Sequence, residues 1–247
     1  MTTPPTRRDQ LVVALDVETG DKALHLVESL KGQVGMFKIG KQLFTAEGPD
    51  LVRRVVDLGE RVFLDLKYHD IPATVAKASV EATKLGVSMF NVHASGGREM
   101  LAETVDAVNH YCEMSRTRRP AILAVTVLTS LDDAGLEEAG VPGGAVAQVV
   151  RLARLAREAG IDGVVASAQE IRVIHSEVVR DGFLILTPGI RPAGADPGDQ
   201  KRVMTPARAI AAGADYIVVG RPITAAADPA AAARAIVAEM ESTAAAG

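Results

Sequence analysis

Short apolar runs alternate with amphipathic segments along this chain. Five times, a segment with helical spacing of apolar residues ends at a glycine, and a run rich in Val, Ile or Phe follows. Glycine suits the position just past a helix end, because it lacks the Cβ that clashes in the left-handed conformation. Such apolar runs are typical of parallel strands that are buried on both faces. The five glycines are Gly32, Gly59, Gly86, Gly160 and Gly213.

Eight apolar runs are predicted to be strands, with helices between them. Residues 21–30 place their apolar positions on one helical face, and Asp228 followed by Pro229 predicts the start of a last helix. Eight such alternations predict a (β/α)8 TIM barrel of α/β class, with an open doubly wound sheet as the alternative. The predicted strands are 11–15, 35–39, 61–66, 88–93, 121–125, 162–166, 183–186 and 215–219.

Length and composition fit one barrel. The 247 residues predict a single domain, 1–247, with a core from about 11 to 242. The net charge of −4 without a basic block argues against nucleic acid as a partner. A single cysteine excludes an internal disulfide, and no apolar run approaches the roughly 20 residues that cross a bilayer. The N-terminus lacks the apolar core of a signal peptide, so we expect a cytoplasmic protein without membrane contact.

Charged residues fall at the ends of the second and third predicted strands. Active sites of such barrels lie at the C-terminal ends of the strands. Side chains of a strand alternate, so Lys38 points into the barrel if Phe37 and Ile39 face the helices. Asp65 and Lys67 share one face if their strand is regular. Buried charges are costly unless paired, which favours a functional cluster, although a structural set of salt bridges is the alternative.

Two further acids lie near the same predicted mouth. Asp16 ends the first strand, and Asp70 follows the third. Together with Lys38, Asp65 and Lys67, Asp70 would make a set of two acids and two lysines at this mouth. Each acid also has a simpler interpretation, since Asp16 could cap the next helix and Asp70 could begin one.

The loops after the last two strands predict a phosphate site. Arg191 follows the seventh strand, and Gly220 with Arg221 follows the eighth. Glycine lets the backbone approach an anion, and arginine presents a planar fork of donors. Phosphate commonly binds at these two loops in such barrels, although two surface arginines are the alternative. Residues 192–202 are either a solvated connection or a mobile lid, from which Gln200 could reach a ligand.

The sequence predicts neither a metal nor an organic cofactor. Five histidines are present, but they do not predict the three converging ligands of a catalytic zinc site. Residues 16–20 do not supply the glycine-rich dinucleotide motif after the first strand.

The stretch Asp-Leu-Lys-Tyr-His-Asp-Ile-Pro at 65–72 resembles the motif of the orotidine 5′-phosphate decarboxylase family. The resemblance runs from Leu11 to about Thr224, and it departs at Ala73, where many members have Asn. The ordered set is more specific than Asp-x-Lys-x-x-Asp alone, which related sugar-phosphate barrels share. The other matching stretches are 14–16, 37–40, 91–97, 125–130, 167–170, 187–192 and 219–223.

The resemblance implies the decarboxylation of orotidine 5′-phosphate to UMP and CO2, the last step of de novo pyrimidine nucleotide biosynthesis. It implies a homodimer with shared active sites, no cofactor, and Lys67 as the proton donor beside Asp65. The substrate would bind to Asp16 and Lys38 at the ribose, Thr129 at the base, Arg191, Gln200, Gly220 and Arg221 at the phosphate, and Asp70, Ile71 and Thr74 of the partner subunit.

Two alternatives stay open at this point. One is a Mg²⁺-dependent sugar-phosphate enzyme, such as a keto-gulonate-phosphate decarboxylase or a hexulose-phosphate synthase. The other is a catalytically silent phosphate-binding barrel, which we would expect to lack Lys67 or Asp65, yet both are present.

Overall fold

The chain forms a closed barrel of eight parallel strands that follow one another in sequence order. The computed structural model describes residues 5–178, 182–192 and 204–242. The strands are β1 (Leu11–Ala14), β2 (Met36–Gly40), β3 (Val62–Tyr68), β4 (Met89–His93), β5 (Ala121–Val125), β6 (Gly163–Val165), β7 (Leu184–Thr187) and β8 (Tyr216–Val219). All eight predicted strands are therefore present, each within two residues of its predicted ends.

Helices cover the outside of the barrel. They are α1 (Gly20–Leu30), α2 (Lys41–Glu47), α3 (Pro49–Asp57), α4 (Pro72–Lys84), α5 (Gly97–Ser115), α6 (Asp133–Glu138), α7 (Gly144–Glu158), α8 (Ile171–Glu177), α9 (Pro206–Ala212), α10 (Arg221–Thr224) and α11 (Pro229–Ser242). Within the described residues, no helix is both long and apolar enough to cross a membrane.

The helix ends follow the predicted chemistry. All five predicted end glycines have φ between 73° and 106°, a region that a Cβ disfavours. The backbone N–H of Ala231 donates to Asp228 Oδ1 at 2.9 Å, which confirms the predicted start of α11. The side chain of Thr19 caps α1 by accepting from the backbone N–H of Lys22, so the capping role considered for Asp16 was wrong.

Side-chain alternation divides the core into two layers. Phe37 and Ile39 belong to the large layer between the strands and the helices. Met36 and Phe63 belong to a second apolar cluster inside the barrel, and each contributes about 1.5–3 kcal/mol by burial. Lys38 follows Met36 by two residues, so it also points inward, as predicted.

Strand β3 is irregular near its C-terminal end. Its pairing with β4 shifts register between Leu64 and Tyr68. Lys67 lies in this interval and has φ of 53°, the left-handed region that L-residues other than glycine seldom adopt. The assumption that β3 is a regular strand was therefore wrong, although Asp65 and Lys67 do meet.

Candidate active site

A row of four alternating charges crosses the C-terminal ends of β1, β2 and β3. Lys38 Nζ lies 3.2 Å from Asp16 Oδ1 and 3.4 Å from Asp65 Oδ2. Lys67 Nζ lies 2.6 Å from Asp65 Oδ1. The order is acid, base, acid, base, so each inner charge has an opposite charge on both sides. The three residues predicted from strand alternation, Lys38, Asp65 and Lys67, are thus brought together, and Asp16 joins them.

Exposure to solvent increases toward both ends of this row. The side chains of Lys38 and Asp65 are 11% and 13% exposed, whereas those of Lys67 and Asp16 are 26% and 58% exposed. Burial alone would raise the pKa of Asp65. The charges of Lys38 and Lys67, with hydrogen bonds from Lys67 and Asn91, outweigh that effect and hold the Asp65 pKa below its usual value. Asp65 is therefore a buried carboxylate that stays ionised.

Asn91 of β4 is hydrogen-bonded to two members of the row, and it is not among the site residues predicted from the sequence. Its side chain is fully buried. Its Nδ2 donates to Asp65 Oδ1 at 2.7 Å, and its Oδ1 accepts from the backbone N–H of Lys67 at 2.8 Å. A sequence signal existed, because Asn91 is two residues from the inward-facing Met89 and has the same alternation as Lys38 after Met36.

Asp70 does not join the row within one chain. Its Oδ1 accepts from the backbone N–H of Ile71 at 2.7 Å, and in the described part of the chain it forms no ion pair with Lys38 or Lys67. Asp70 and Thr74 are exposed at the start of α4, and Ile71 is 67% exposed. The expected cluster with Asp70 is thus absent from the described part of the chain, and these three side chains lie at the surface.

Two histidines lie beside the row. His69 follows β3, His93 ends β4, and their ring centroids are 5.2 Å apart. Burial, then the charges of His69, Lys41 and Lys67, lowers the His93 pKa to about 4 against the opposing effect of Asp65. His93 is therefore neutral near pH 7.

The charged row lines a cleft of about 170 Å³ at the mouth of the barrel. Gly40 borders it, and a Cβ at this position would lie 3.1 Å from Lys38 Nζ. Larger grooves of about 440 and 960 Å³ lie on the helical exterior, but neither includes a member of the row. We place the site at the smaller cleft, because convergent buried charges indicate chemistry better than volume does.

The loops after β7 and β8 lie at the same end of the barrel as the charged row. Arg191 is buried; its Nη1 donates to the Ile190 carbonyl at 3.0 Å, and its backbone N–H donates to the Met204 carbonyl at 3.1 Å. Since β8 pairs with β1, Gly220 is close to Asp16, and a Cβ there would lie 3.5 Å from Asp16 Oδ2. The predicted phosphate loops therefore adjoin the charged row.

The remaining predicted site residues have different positions. Arg221 begins α10 and is exposed, and Thr129 is half-buried in the loop after β5. Gln200 and most of the stretch 192–202 lie outside the described residues. Across residues 5–178, 182–192 and 204–242, no group of three or more His, Cys, Asp or Glu side chains is arranged to hold a metal ion.

This arrangement suits reactions in which negative charge develops on a bound molecule. A lysine ammonium that is fixed beside an ionised carboxylate can stabilise such charge, and it can then donate a proton. Because the lysine reaches the cleft from a strand rather than a mobile loop, little reorganisation is needed during the reaction.

Comparison with known proteins identifies relatives over most of the chain. A model of the orotidine 5′-phosphate decarboxylase / HUMPS family matches residues 9–236. The orotidine 5′-phosphate decarboxylase of Syntrophotalea carbinolica is 55% identical over 216 residues, which cover 87% of this chain and 88% of that protein. The protein of the same name from Geobacter sulfurreducens is 54% identical, with coverage of 87% and 89%.

A solved structure agrees with these sequence matches. Orotidine 5′-phosphate decarboxylase from Lactobacillus acidophilus superposes with a TM-score of 0.82 at 37% identity, and the alignment covers 93% of this chain and 98% of that one. The resemblance predicted from the motif at residues 65–72 is thereby confirmed. This chain belongs to the orotidine 5′-phosphate decarboxylase / HUMPS family.

Proposed function

We propose that this protein converts orotidine 5′-phosphate to UMP and CO2. The observation that carries the proposal is the row of Asp16, Lys38, Asp65 and Lys67 at the barrel mouth of a chain from this family. The Mg²⁺-dependent sugar-phosphate alternative is not favoured, because close relatives bear the name orotidine 5′-phosphate decarboxylase.

The proposed chemistry follows from where the charge develops. Loss of CO2 from C6 of the pyrimidine leaves an electron pair in the plane of the ring, and the ring offers no ready sink for it. The ammonium of Lys67 stabilises that pair electrostatically and then donates a proton to C6, which gives UMP. Asp65 holds the Lys67 ammonium by an ion pair, and Lys38 pairs with the other oxygen of the same carboxylate.

Binding of the rest of the nucleotide is assigned to other residues of the mouth. Asp16 and Lys38 hold the ribose hydroxyls, and Thr129 lies by the base. The phosphate binds at the loops after β7 and β8, which adjoin Asp16 through the pairing of β8 with β1. Binding energy from this remote end helps to position the reacting carbon. The phosphate ligands are Arg191, Gly220 and Arg221, with Gln200 outside the described residues.

We also propose that two subunits share each active site. Asp70, Ile71 and Thr74 lie together at the surface of one chain, where Ile71 is 67% exposed, so a second subunit could reach all three. In a symmetric dimer, these residues of one subunit would reach the cleft of the other, where Asp70 would meet Lys67. One domain over residues 1–247 and a cytoplasmic location remain predictions.

The function is tested by following the ultraviolet absorbance of orotidylate with purified protein in buffer treated with a chelator. We expect the absorbance to change with time and UMP to accumulate in equal amount. Unchanged absorbance with folded protein would reject the proposed activity. Activity that requires added Mg²⁺ would favour the sugar-phosphate alternative.

The shared site is tested by mixing two inactive variants, Lys67→Ala and Asp70→Asn. If each site combines Lys67 of one subunit with Asp70 of the other, a mixed dimer contains one intact site. Random reassociation of equal amounts then restores about a quarter of wild-type activity, because half of the dimers are mixed and each has one working site. If both residues act within the same chain, mixing restores nothing, and the shared site is excluded.

A further inference from the structure

Asn91 is the fully buried amide that contacts both Asp65 and Lys67. We propose that it is a positioning residue, which holds the backbone of Lys67 in its left-handed conformation and fixes the plane of the Asp65 carboxylate. It does not touch the reacting atoms, and its effect on the reaction passes through the Lys67 ammonium. This inference rests on the proposed function only for its catalytic consequence.

The backbone of Lys67 has a conformation that the residue itself disfavours. A left-handed conformation costs about 1–2 kcal/mol for a residue with a Cβ, so the surrounding structure must impose it. The register shift between β3 and β4 spans this residue. The backbone N–H of Lys67 donates instead to Asn91 Oδ1 at 2.8 Å. A side chain of β4 thus takes the place of a backbone carbonyl at the point where β3 departs from regular pairing.

The carboxylate of Asp65 is contacted at both of its oxygens. Its Oδ1 accepts from both Lys67 Nζ at 2.6 Å and Asn91 Nδ2 at 2.7 Å, while its Oδ2 faces Lys38 Nζ at 3.4 Å. The amide donor lies on a rigid strand, whereas the two lysine donors end long side chains. Asn91 therefore sets the orientation of the carboxylate, to which both ammonium groups then adjust.

Position 91 requires an amide. A buried polar group costs free energy unless it is hydrogen-bonded, and Asn91 is satisfied at both ends. Leucine has a similar size but neither donor nor acceptor. A carboxyl group can accept from the Lys67 N–H, but it can donate to Asp65 only while protonated. Asparagine supplies both functions at every pH.

The consequence for catalysis concerns the position of the Lys67 ammonium. Removal of Asn91 releases the backbone of Lys67 toward an ordinary extended conformation, which displaces the attached side chain. A displacement near 1 Å at a reacting group costs about 10²-fold in rate. Most of the proposed ribose and phosphate contacts follow β1, β7 and β8 and, among the described residues, make no contact with Asn91, so nucleotide affinity should change little.

The experiment compares Asn91→Leu and Asn91→Asp with the control Thr104→Val. Thr104 is fully buried in α5, and its hydroxyl donates to the Met100 carbonyl at 2.8 Å, remote from the row. The measurements are kcat and KM for orotidylate between pH 5 and 9, the affinity for UMP by calorimetry, and the φ of Lys67 in crystals of Asn91→Leu.

We expect Asn91→Leu to lose about 10²-fold in kcat with UMP affinity within about threefold of wild type. Asn91→Asp should gain kcat toward low pH, as the introduced carboxyl becomes protonated and donates to Asp65, whereas the wild-type profile lacks that rise. Thr104→Val should keep wild-type kcat. In Asn91→Leu, the φ of Lys67 should become negative.

Several results would overturn the proposal. These are a kcat of Asn91→Leu within threefold of wild type, a Lys67 φ that stays near its present 53°, or equal losses of kcat and UMP affinity. Failure of both Asn91 variants to fold while Thr104→Val folds would make Asn91 a requirement of the fold rather than a positioning residue. A wild-type protein without activity rejects the proposed function instead, and the φ of Lys67 still tests what Asn91 does to the backbone.

Discussion

The interior of this barrel differs between its two halves. On β2, β3 and β4, an apolar inward residue is followed two positions later by a polar one: Met36 by Lys38, Phe63 by Asp65, and Met89 by Asn91. On β5 to β8, the inward side chains Leu123, Val125, Val165, Leu186 and Val218 all belong to the apolar interior cluster. The strands are neighbours in one closed sheet, yet only the first half has charged side chains on the inward face of its strands. The arginines of the other half, Arg191 and Arg221, follow the ends of β7 and β8.

The difference shows what the fold alone requires. Packing is satisfied by the apolar half, so stability does not demand charge at the corresponding positions of the other half. Buried ion pairs seldom stabilise a protein more than apolar side chains of similar volume. The charged half therefore carries a cost that function explains better than folding does. Its charges are also compensated, since the pKa of Asp65 stays below its usual value despite burial.

The largest expected effect comes from removing the last charge of the row. Lys67→Ala should lower kcat by roughly 10⁴-fold or more, because it removes both the proton donor and the charge that stabilises the carbanion. UMP affinity should remain, and steady-state assays with calorimetry measure both quantities. Turnover like that of the wild type would remove Lys67 from its proposed role.

A matched change in the apolar half sharpens the comparison. Leu123 pairs with Asn91 across β4 and β5 and belongs to the interior cluster. Leu123→Ala should lower the free energy of unfolding by about 2–5 kcal/mol through the cavity it leaves. Its kcat should remain within a few-fold of wild type well below the melting temperature. If Leu123→Ala lost as much kcat as Lys67→Ala, the two halves would not differ in function.

Much of this comparison could be predicted from the sequence. Alternation in a regular β2 is enough to turn Lys38 inward, and the glycines at helix ends identify the strands that follow them. The pairing of Asp65 with Lys67 was also predicted, but from a regular strand that does not exist. The two side chains meet because Lys67 adopts a left-handed backbone and because β3 shifts register beside it.

Other parts of the site could not be predicted from single-strand patterns. Alternation marks Asn91 as an inward polar residue, but its two hydrogen bonds depend on the irregularity of the neighbouring strand. Asp70 was grouped with the row from its place after β3, but its side chain accepts from the backbone N–H of Ile71 instead. Sequence periodicity describes regular backbone within one segment, and it contains no information on strand irregularities or on the direction of a side chain in a loop.

The boundary between the halves offers a pH test, because His93 of β4 pairs with Val125 of β5. Burial and nearby positive charge lower the His93 pKa from 6.5 to about 4. The unfolded chain therefore binds the proton first as pH falls. Stability from this group is complete above about pH 6.5 and is lost progressively down to about pH 4.

His93→Gln should remove this dependence. Relative to the variant, the wild type should lose on the order of 1 kcal/mol of unfolding free energy across that window, a value reduced for the partial exposure of the ring. Urea titrations at fixed protein concentration measure it. His69→Gln should remove part of the same dependence, because its charge is one cause of the shift. If the free energy of unfolding of wild type and of His93→Gln changed with pH in the same way, His93 would not be the source of the pH dependence.

The smallest expected effect isolates the backbone of Lys67 from its charge. Lys67→Gly and Lys67→Ala both remove the ammonium, but only glycine adopts φ of 53° without strain. Lys67→Gly should be more stable than Lys67→Ala by about 0.5–1 kcal/mol, which is the left-handed penalty less the entropy that glycine loses on folding. At Leu66, where φ is not positive, the order should reverse, and Leu66→Ala should be more stable than Leu66→Gly.

Arg116 provides the calibration for this test, since its φ is 54° at the C-terminal end of α5, far from the row. Arg116→Gly should be more stable than Arg116→Ala by a similar free energy of unfolding, measured by urea titration. A difference at position 67 that matches position 116 would show that Lys67 retains its left-handed backbone without its charge. If the glycine and alanine variants differed in stability at position 116 but not at position 67, the ion pair with Asp65 would impose the left-handed conformation of Lys67. The irregular end of β3 would then result from the charges and would not be what positions them.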